Sequence, residues 1–225
     1  MGSMPPTEEI VTPHGPAVVD LDQPAGPPAA LLVLGHGAGG GVDARDLLAL
    51  REAAVTAGLV VARVTQPYRV AGRRAPAPAG QLDVAWTVVL AELRARWPGI
   101  PLVVGGRSSG ARVACRTAAT VGAAGVVALA FPLHPPGRPE RSRAAELPDR
   151  VPTLVVNGDR DPFGMPVAAA STVQVVTRPG ERHDLGRDPL GTAAVVLDWL
   201  RAHGWTAQPD RPPSRPGSIG WTDEA

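Results

Sequence analysis

Ser108, Asp161 and His183 have the types and the chain order to carry out acyl transfer. A serine hydroxyl is a poor nucleophile at neutral pH. It needs a base to take its proton, and imidazole suits that task. The base needs a carboxylate to hold its tautomer and to stabilise the imidazolium that forms. Ser108 is at the apex of Gly106-Arg107-Ser108-Ser109-Gly110, after the apolar run Leu102–Val104 and before a helix-like run, Ala111 to Ala119. Strand, sharp turn and helix in that order lift a serine hydroxyl clear of a sheet. The flanking glycines leave room where a side chain would meet a neighbouring strand or helix.

His183 follows the last expected strand and is the expected base. His14 is in a turn, His203 ends a helix, and His36 reads as a structural hydrogen-bonder. Asp161, in Asn157-Gly158-Asp159-Arg160-Asp161-Pro162, is the expected carboxylate; Asp159, nearer the strand, is its rival and would otherwise bond backbone amides of the turn. Asp184 reads as a solvated or loop-bonding residue. A developing oxyanion needs two backbone donors. Ser109 N–H, at a helix start, is one. The other is expected from Gly35-His36-Gly37-Ala38-Gly39-Gly40-Gly41, with Ala38 favoured, because a run poor in side chains lets an amide approach substrate. That loop does not read as a phosphate cradle, since no Gly-Lys-Ser/Thr ending is present. Arg107 either binds an acidic substrate group or pins the turn. His134, between Leu133 and Pro135, either lines the pocket or fixes a turn beside it. No metal cluster is visible, and neither metal nor cofactor is expected.

These residues need a scaffold, and the chain supplies a pattern for one. Glu8 to Thr12 and Ala17 to Leu21 flank Pro13-His14-Gly15-Pro16, a hairpin signal. Ala30–Leu34, Leu59–Val64, Leu102–Val104, Gly125–Phe131, Thr153–Val156 and Val173–Thr177 are short apolar runs. Asp43 reads as the N-cap of a helix through Ala57, Leu82–Trp97 as a second helix, and Leu190–His203 as the last. Gln66 to Gly80 reads as a loop. Strands apolar on both faces and separated by helices make a mostly parallel sheet covered on both sides. Each candidate then falls beyond a strand's carboxyl end, where such sheets place their sites. Only about twenty residues separate Phe131 from Val151, too few for an inserted cap domain, so an open site is expected. The expected division is a flexible start at 1–6, a domain at 7–205 and a Pro-rich disordered tail at 206–225.

The composition excludes several function classes. The 225 residues carry a formal net charge of +1 and no basic face or acidic block, which gives no reason to expect nucleic acid or a charged membrane as partner. Every cation among the 22 Lys+Arg is Arg. No apolar run is long enough to cross a membrane, and no signal peptide is visible. The single Cys115 excludes an internal disulfide and reads as a small buried residue, so a cytoplasmic location is the default. Oligomeric state is not readable.

At this point the chain resembles the α/β-hydrolase superfamily. Within it, the chain is similar to a small capless family that includes testis-expressed protein thirty and the hydrolase-like domain of subunit three of the non-specific-lethal chromatin complex. Gly35–Gly40, Gly105–Arg112, Phe131–Pro139, Gly158–Gly164 and His183 carry the resemblance, over roughly Ala30 to Gly204. The run Pro132-Leu133-His134-Pro135-Pro136-Gly137 is the most specific. Glu181-Arg182-His183-Asp184 departs from the family, whose members often have Gly and Asp before the His and Ser after it. The resemblance implies a Ser-Asp-His hydrolase scaffold without a cap and says little of substrate; the chain as a whole reads as a serine hydrolase cleaving a small or accessible ester. Some relatives look like interaction modules, which leaves a non-catalytic binding or scaffold protein as the alternative. A dienelactone-hydrolase-like enzyme fits less well, because that group favours Cys at the elbow.

Overall fold

The computed structural model describes residues 6–168 and 170–207. Residues 1–5 and 208–225, which hold most of the expected flexible start and Pro-rich tail, lie outside the described residues.

The chain opens with a hairpin, β1 (Thr7–Thr12) and β2 (Gly15–Asp22), paired antiparallel. Gly15 turns it at φ 104, a left-handed conformation that glycine adopts without a Cβ penalty. Alternate residues of β2 are buried, as expected of a strand with one solvated face. Six parallel strands follow: β3 (Ala30–Gly35), β4 (Leu59–Thr65), β5 (Leu102–Arg107), β6 (Gly125–Leu129), β7 (Thr153–Gly158) and β8 (Val173–Arg178). Together they form one eight-stranded sheet in the order β1-β2-β4-β3-β5-β6-β7-β8.

The strands β3, β6 and β7 are buried at every position because helices cover both faces. α1 (Arg45–Thr56) and α5 (Pro189–Ala202) pack together on one face; α3 (Ala79–Arg96) and α4 (Ser109–Thr117) pack on the other. The pleat divides the core accordingly. Leu31 and Val33 join the α3/α4 cluster, whereas Ala30, Leu32 and Leu34 of the same strand join the α1/α5 cluster. The α3/α4 side holds Trp86 and Phe131, two of the largest fully buried side chains. Truncating either to Ala would cost about 3–5 kcal/mol. α5 starts cleanly: Pro189 occupies the first turn, and Asp188 accepts a hydrogen bond from Gly191 N–H at 2.8 Å.

Three local expectations need correction. The cap of α1 is Ala44, not Asp43, whose carboxylate lies over Gly41 instead. The acid of that helix's first turn is Asp46. The expected loop from Gln66 contains a short helix, α2 (Pro67–Val70), with Pro at its first position. α3 begins at Ala79, a turn earlier than its apolar periodicity suggests, because Ala79, Gly80 and Gln81 extend it without adding to its buried face.

Candidate active site

The sheet order reverses at β3, which lies between β4 and β5. The loops leaving β3 and β5 therefore meet at a topological switch point, where open α/β sheets bind ligands. They meet through backbone. Gly110 N–H donates to the His36 carbonyl at 3.0 Å, and a Cβ on Gly106 or Gly110 would collide with the backbone of Gly35. Trp86 packs beneath this contact, against the space a Gly35 side chain would need.

Ser108, between β5 and α4, has φ 53 and ψ −109. A non-glycine residue so far from its preferred wells stores about 1–3 kcal/mol, which the surrounding contacts must hold. Ser108 N–H donates to the Leu129 carbonyl at 2.9 Å, anchoring the turn to β6. The Ser108 hydroxyl is 2.8 Å from His183 Nε2, and His183 Nδ1 is 2.8 Å from Asp161 Oδ2. The structure thus brings together the three residues singled out in the sequence. The Asp161 side chain is fully buried, and its other oxygen accepts Phe163 N–H at 2.8 Å. With Oδ2 facing Nδ1, the imidazole is held as the tautomer whose bare Nε2 faces the serine hydroxyl. Asp159 turns away and accepts Gly180 N–H at 2.7 Å, the backbone role that was its alternative.

The glycine loop is held by His36. Gln66 N–H donates to His36 Nε2 at 3.1 Å, which makes Nδ1 the protonated nitrogen, donating to the Gly37 carbonyl at 2.8 Å. Burial lowers the His36 pKa, the hydrogen bond to Gly37 opposes that, and the Arg69 charge adds to the lowering. The peptides are trans, so fixing the Gly37 carbonyl on His36 turns Ala38 N–H the opposite way. Tyr68 Oη donates to the Ala38 carbonyl at 2.8 Å and fixes the next peptide. Ser109 N–H opens α4, where no intrahelical acceptor exists.

Arg107 takes a pinning position. Its Nη2 donates to the His183 carbonyl at 3.1 Å, and its Nε is 3.2 Å from Asp46 Oδ2. Asp46 is 1% exposed; burial raises its pKa, and the Arg107 charge opposes that. His134 is absent from the cleft beside His183. Its Nδ1 is 2.8 Å from the Pro135 carbonyl and its ring rests on Gly164, so of the two sequence alternatives it occupies the turn.

Several supports were not anticipated. The Phe163 ring stacks on His183 with centroids 4.1 Å apart. Asn157 holds both Phe131 N–H (2.8 Å) and the Phe131 carbonyl (3.0 Å), tying the loops after β6 and β7. Glu181 is buried and accepts Arg187 N–H at 3.2 Å and Asp188 N–H at 2.6 Å, bracing the His183 loop. A buried acid at Glu181 or Asp46 has no local sequence signal, because its partners lie on other elements or further along the loop. Cys115 is buried, which pushes its thiol pKa up, as expected of a packing residue. Among the described residues no group of three or more His, Cys, Asp or Glu side chains is arranged to hold a metal, and no helix is long and apolar enough to cross a membrane.

Solved structures share this arrangement of strands. A serine hydrolase without a lid from Xanthomonas campestris superposes with a TM-score of 0.74 at 22% identity, covering 93% of this chain and 99% of its own. An α/β serine hydrolase homologue from Coxiella burnetii gives 0.74 at 19% identity, covering 89% and 99%. The esterase domain of a Rhodothermus marinus protein gives 0.68 at 15% identity, covering 88% and 98%. Identities this low speak for the fold alone. Among curated proteins none matches the sequence. The family model of the alpha/beta hydrolase domain matches residues 28–188, from just before β3 to the residue that caps α5. On that match, and on a sheet whose order and elbow fit it, the chain belongs to the α/β-hydrolase family.

Proposed function

We propose that the protein is a serine hydrolase that cleaves a small or accessible carboxylic ester through an acyl-enzyme. The hydrogen-bonded chain from Ser108 through His183 to Asp161, with both contacts at 2.8 Å, carries this reading. Ser108 Oγ attacks the ester carbonyl as His183 takes its proton. Ala38 N–H and Ser109 N–H receive the developing oxyanion. His183 returns the proton to the departing alcohol, and a water activated the same way releases the acid. No step calls on a cofactor or metal. The working domain is residues 7–205. The run Pro132–Pro139 supports the narrower kinship with the capless family. The lone, buried Cys115 suits the reducing conditions of a cytoplasm.

Fluorophosphonate treatment tests this reading, because only an activated serine is labelled. The adduct is expected on Ser108 and not on Ser109. A folded, unlabelled protein would instead favour a hydrolase-like binding or scaffold role.

A further inference from the structure

A cleft of ≈ 450 Å³ opens beside His183, lined by Arg107, Arg160, Pro162, Arg182, His183 and Asp184. Three of its six lining residues are arginines, drawn from the end of β5 and the loops after β7 and β8. Arg107 is committed to Asp46 and to the His183 carbonyl. Arg160 and Arg182 are not: among the described residues no carboxylate lies within 4.0 Å of either guanidinium. The neighbouring acids are engaged elsewhere, Asp159 on Gly180 N–H and Glu181 on Arg187 and Asp188 N–H. Asp161 faces His183 and Phe163 N–H, and only Asp184 brings negative charge to the lining. Both are exposed side chains on one cleft with no carboxylate partner among the described residues, and an anionic guest would supply one.

The cleft's place fixes which part of a substrate it meets. As Ser108 Oγ bonds the acyl carbon, the bond from that carbon to the ester oxygen breaks, and that oxygen takes the proton His183 removed from Ser108. The alcohol or phenol therefore departs on the His183 side, the side on which this cleft opens. We infer that the enzyme recognises esters whose leaving group carries an anionic group, held by Arg160 and Arg182. This rests on the hydrolase reading.

Para-acetoxybenzoate and its methyl ester test it, because they share an acetyl group and differ in the charge of the leaving phenol. Replacing both residues, Arg160→Gln and Arg182→Gln, should lower the anionic-to-neutral ratio of kcat/KM by about tenfold, chiefly through KM, and raised salt should lower the wild-type ratio as well. An unchanged ratio in the double variant overturns the inference, whether or not both rates fall together. Fluorophosphonate labelling of Ser108 in each variant reports separately on the nucleophile. If wild-type Ser108 does not label, the hydrolase reading fails. Calorimetric titration with para-hydroxybenzoate then decides the cleft: binding that the double variant loses supports it, and no binding by the wild type overturns it.

Discussion

A serine held at φ 53 with its hydroxyl 2.8 Å from an imidazole is useful only if the imidazole stays neutral and aimed. That dependence ranks the side chains. Ser108→Ala should reduce ester turnover by up to roughly 10⁶-fold with an unchanged circular dichroism spectrum. Asp161→Asn should cost roughly 10⁴-fold, because an amide stabilises the wrong imidazole tautomer. Asp159→Asn should cost far less, since its carboxylate serves only Gly180 N–H. The reverse ranking of the two aspartates would move the acid to Asp159. Arg107 acts on His183 through backbone and on Asp46 through charge. Arg107→Gln strands a buried carboxylate, and chemical denaturation should show a loss of roughly 3 kcal/mol. A loss below about 0.5 kcal/mol, the range of ordinary surface changes, would mean the pair is not structural.

The elbow and the glycine loop act as one element because they touch through backbone. Gly110→Ala places a methyl group against the Gly35 backbone, and thermal melts should show a destabilisation of roughly 1–3 kcal/mol with a matching loss of turnover. His36 gives the glycine loop a pH dependence with a definite sign. Its folded-state pKa lies below the ordinary value, with Arg69 and the Tyr68 ring facing it. Between that value and about 6.5 the unfolded chain binds more protons, so stability rises with pH across the window and falls as pH drops through it. His36→Asn should flatten that part of the melting-temperature profile; an unchanged profile would assign the acid sensitivity elsewhere. Glu146 is a further tie at this scale: burial favours its neutral form, but Arg112 and Arg116 outweigh that and hold it ionised below the usual range, joining α4 to the segment before β7. The elbow was legible in the sequence because a Gly-x-Ser-x-Gly turn between a strand and a helix is a local pattern. Asp161 was legible as one of two acids in one turn. Phe163 and Asp46 were not, since stacking on His183 and pairing across 61 positions from Asp46 to Arg107 arise only when the sheet folds, and Glu181 was not, since its partners are backbone amides further along its loop. The N-cap was misplaced for a related reason: Asp43 is a good cap by type, but the chain passes Gly41 in a bend that carries its carboxylate back over the loop.

At the scale of the whole molecule, no domain among the described residues covers the carboxyl ends of the strands, since the segment between β6 and β7 is too short. Short-chain para-nitrophenyl esters should be turned over without interfacial activation, and a sharp rise in rate at a lipid surface would contradict this. Exhaustive chelation should leave activity intact, because the proposed oxyanion donors are backbone amides; recovery on adding back a divalent ion after loss would remove the serine mechanism. The strand order has one more effect. Ser108 follows β5, inside the sheet, whereas His183 follows β8, an edge strand paired, among the described residues, only with β7. Ser108 and His183 thus belong to regions of unequal local stability, since an edge strand opens at lower free energy than a central one. Hydrogen exchange should run faster at β8 amides than at β5 amides. On warming, the proposed esterase activity should vanish reversibly several degrees before the tryptophans of the core report unfolding, which would put the working temperature limit at the edge strand β8.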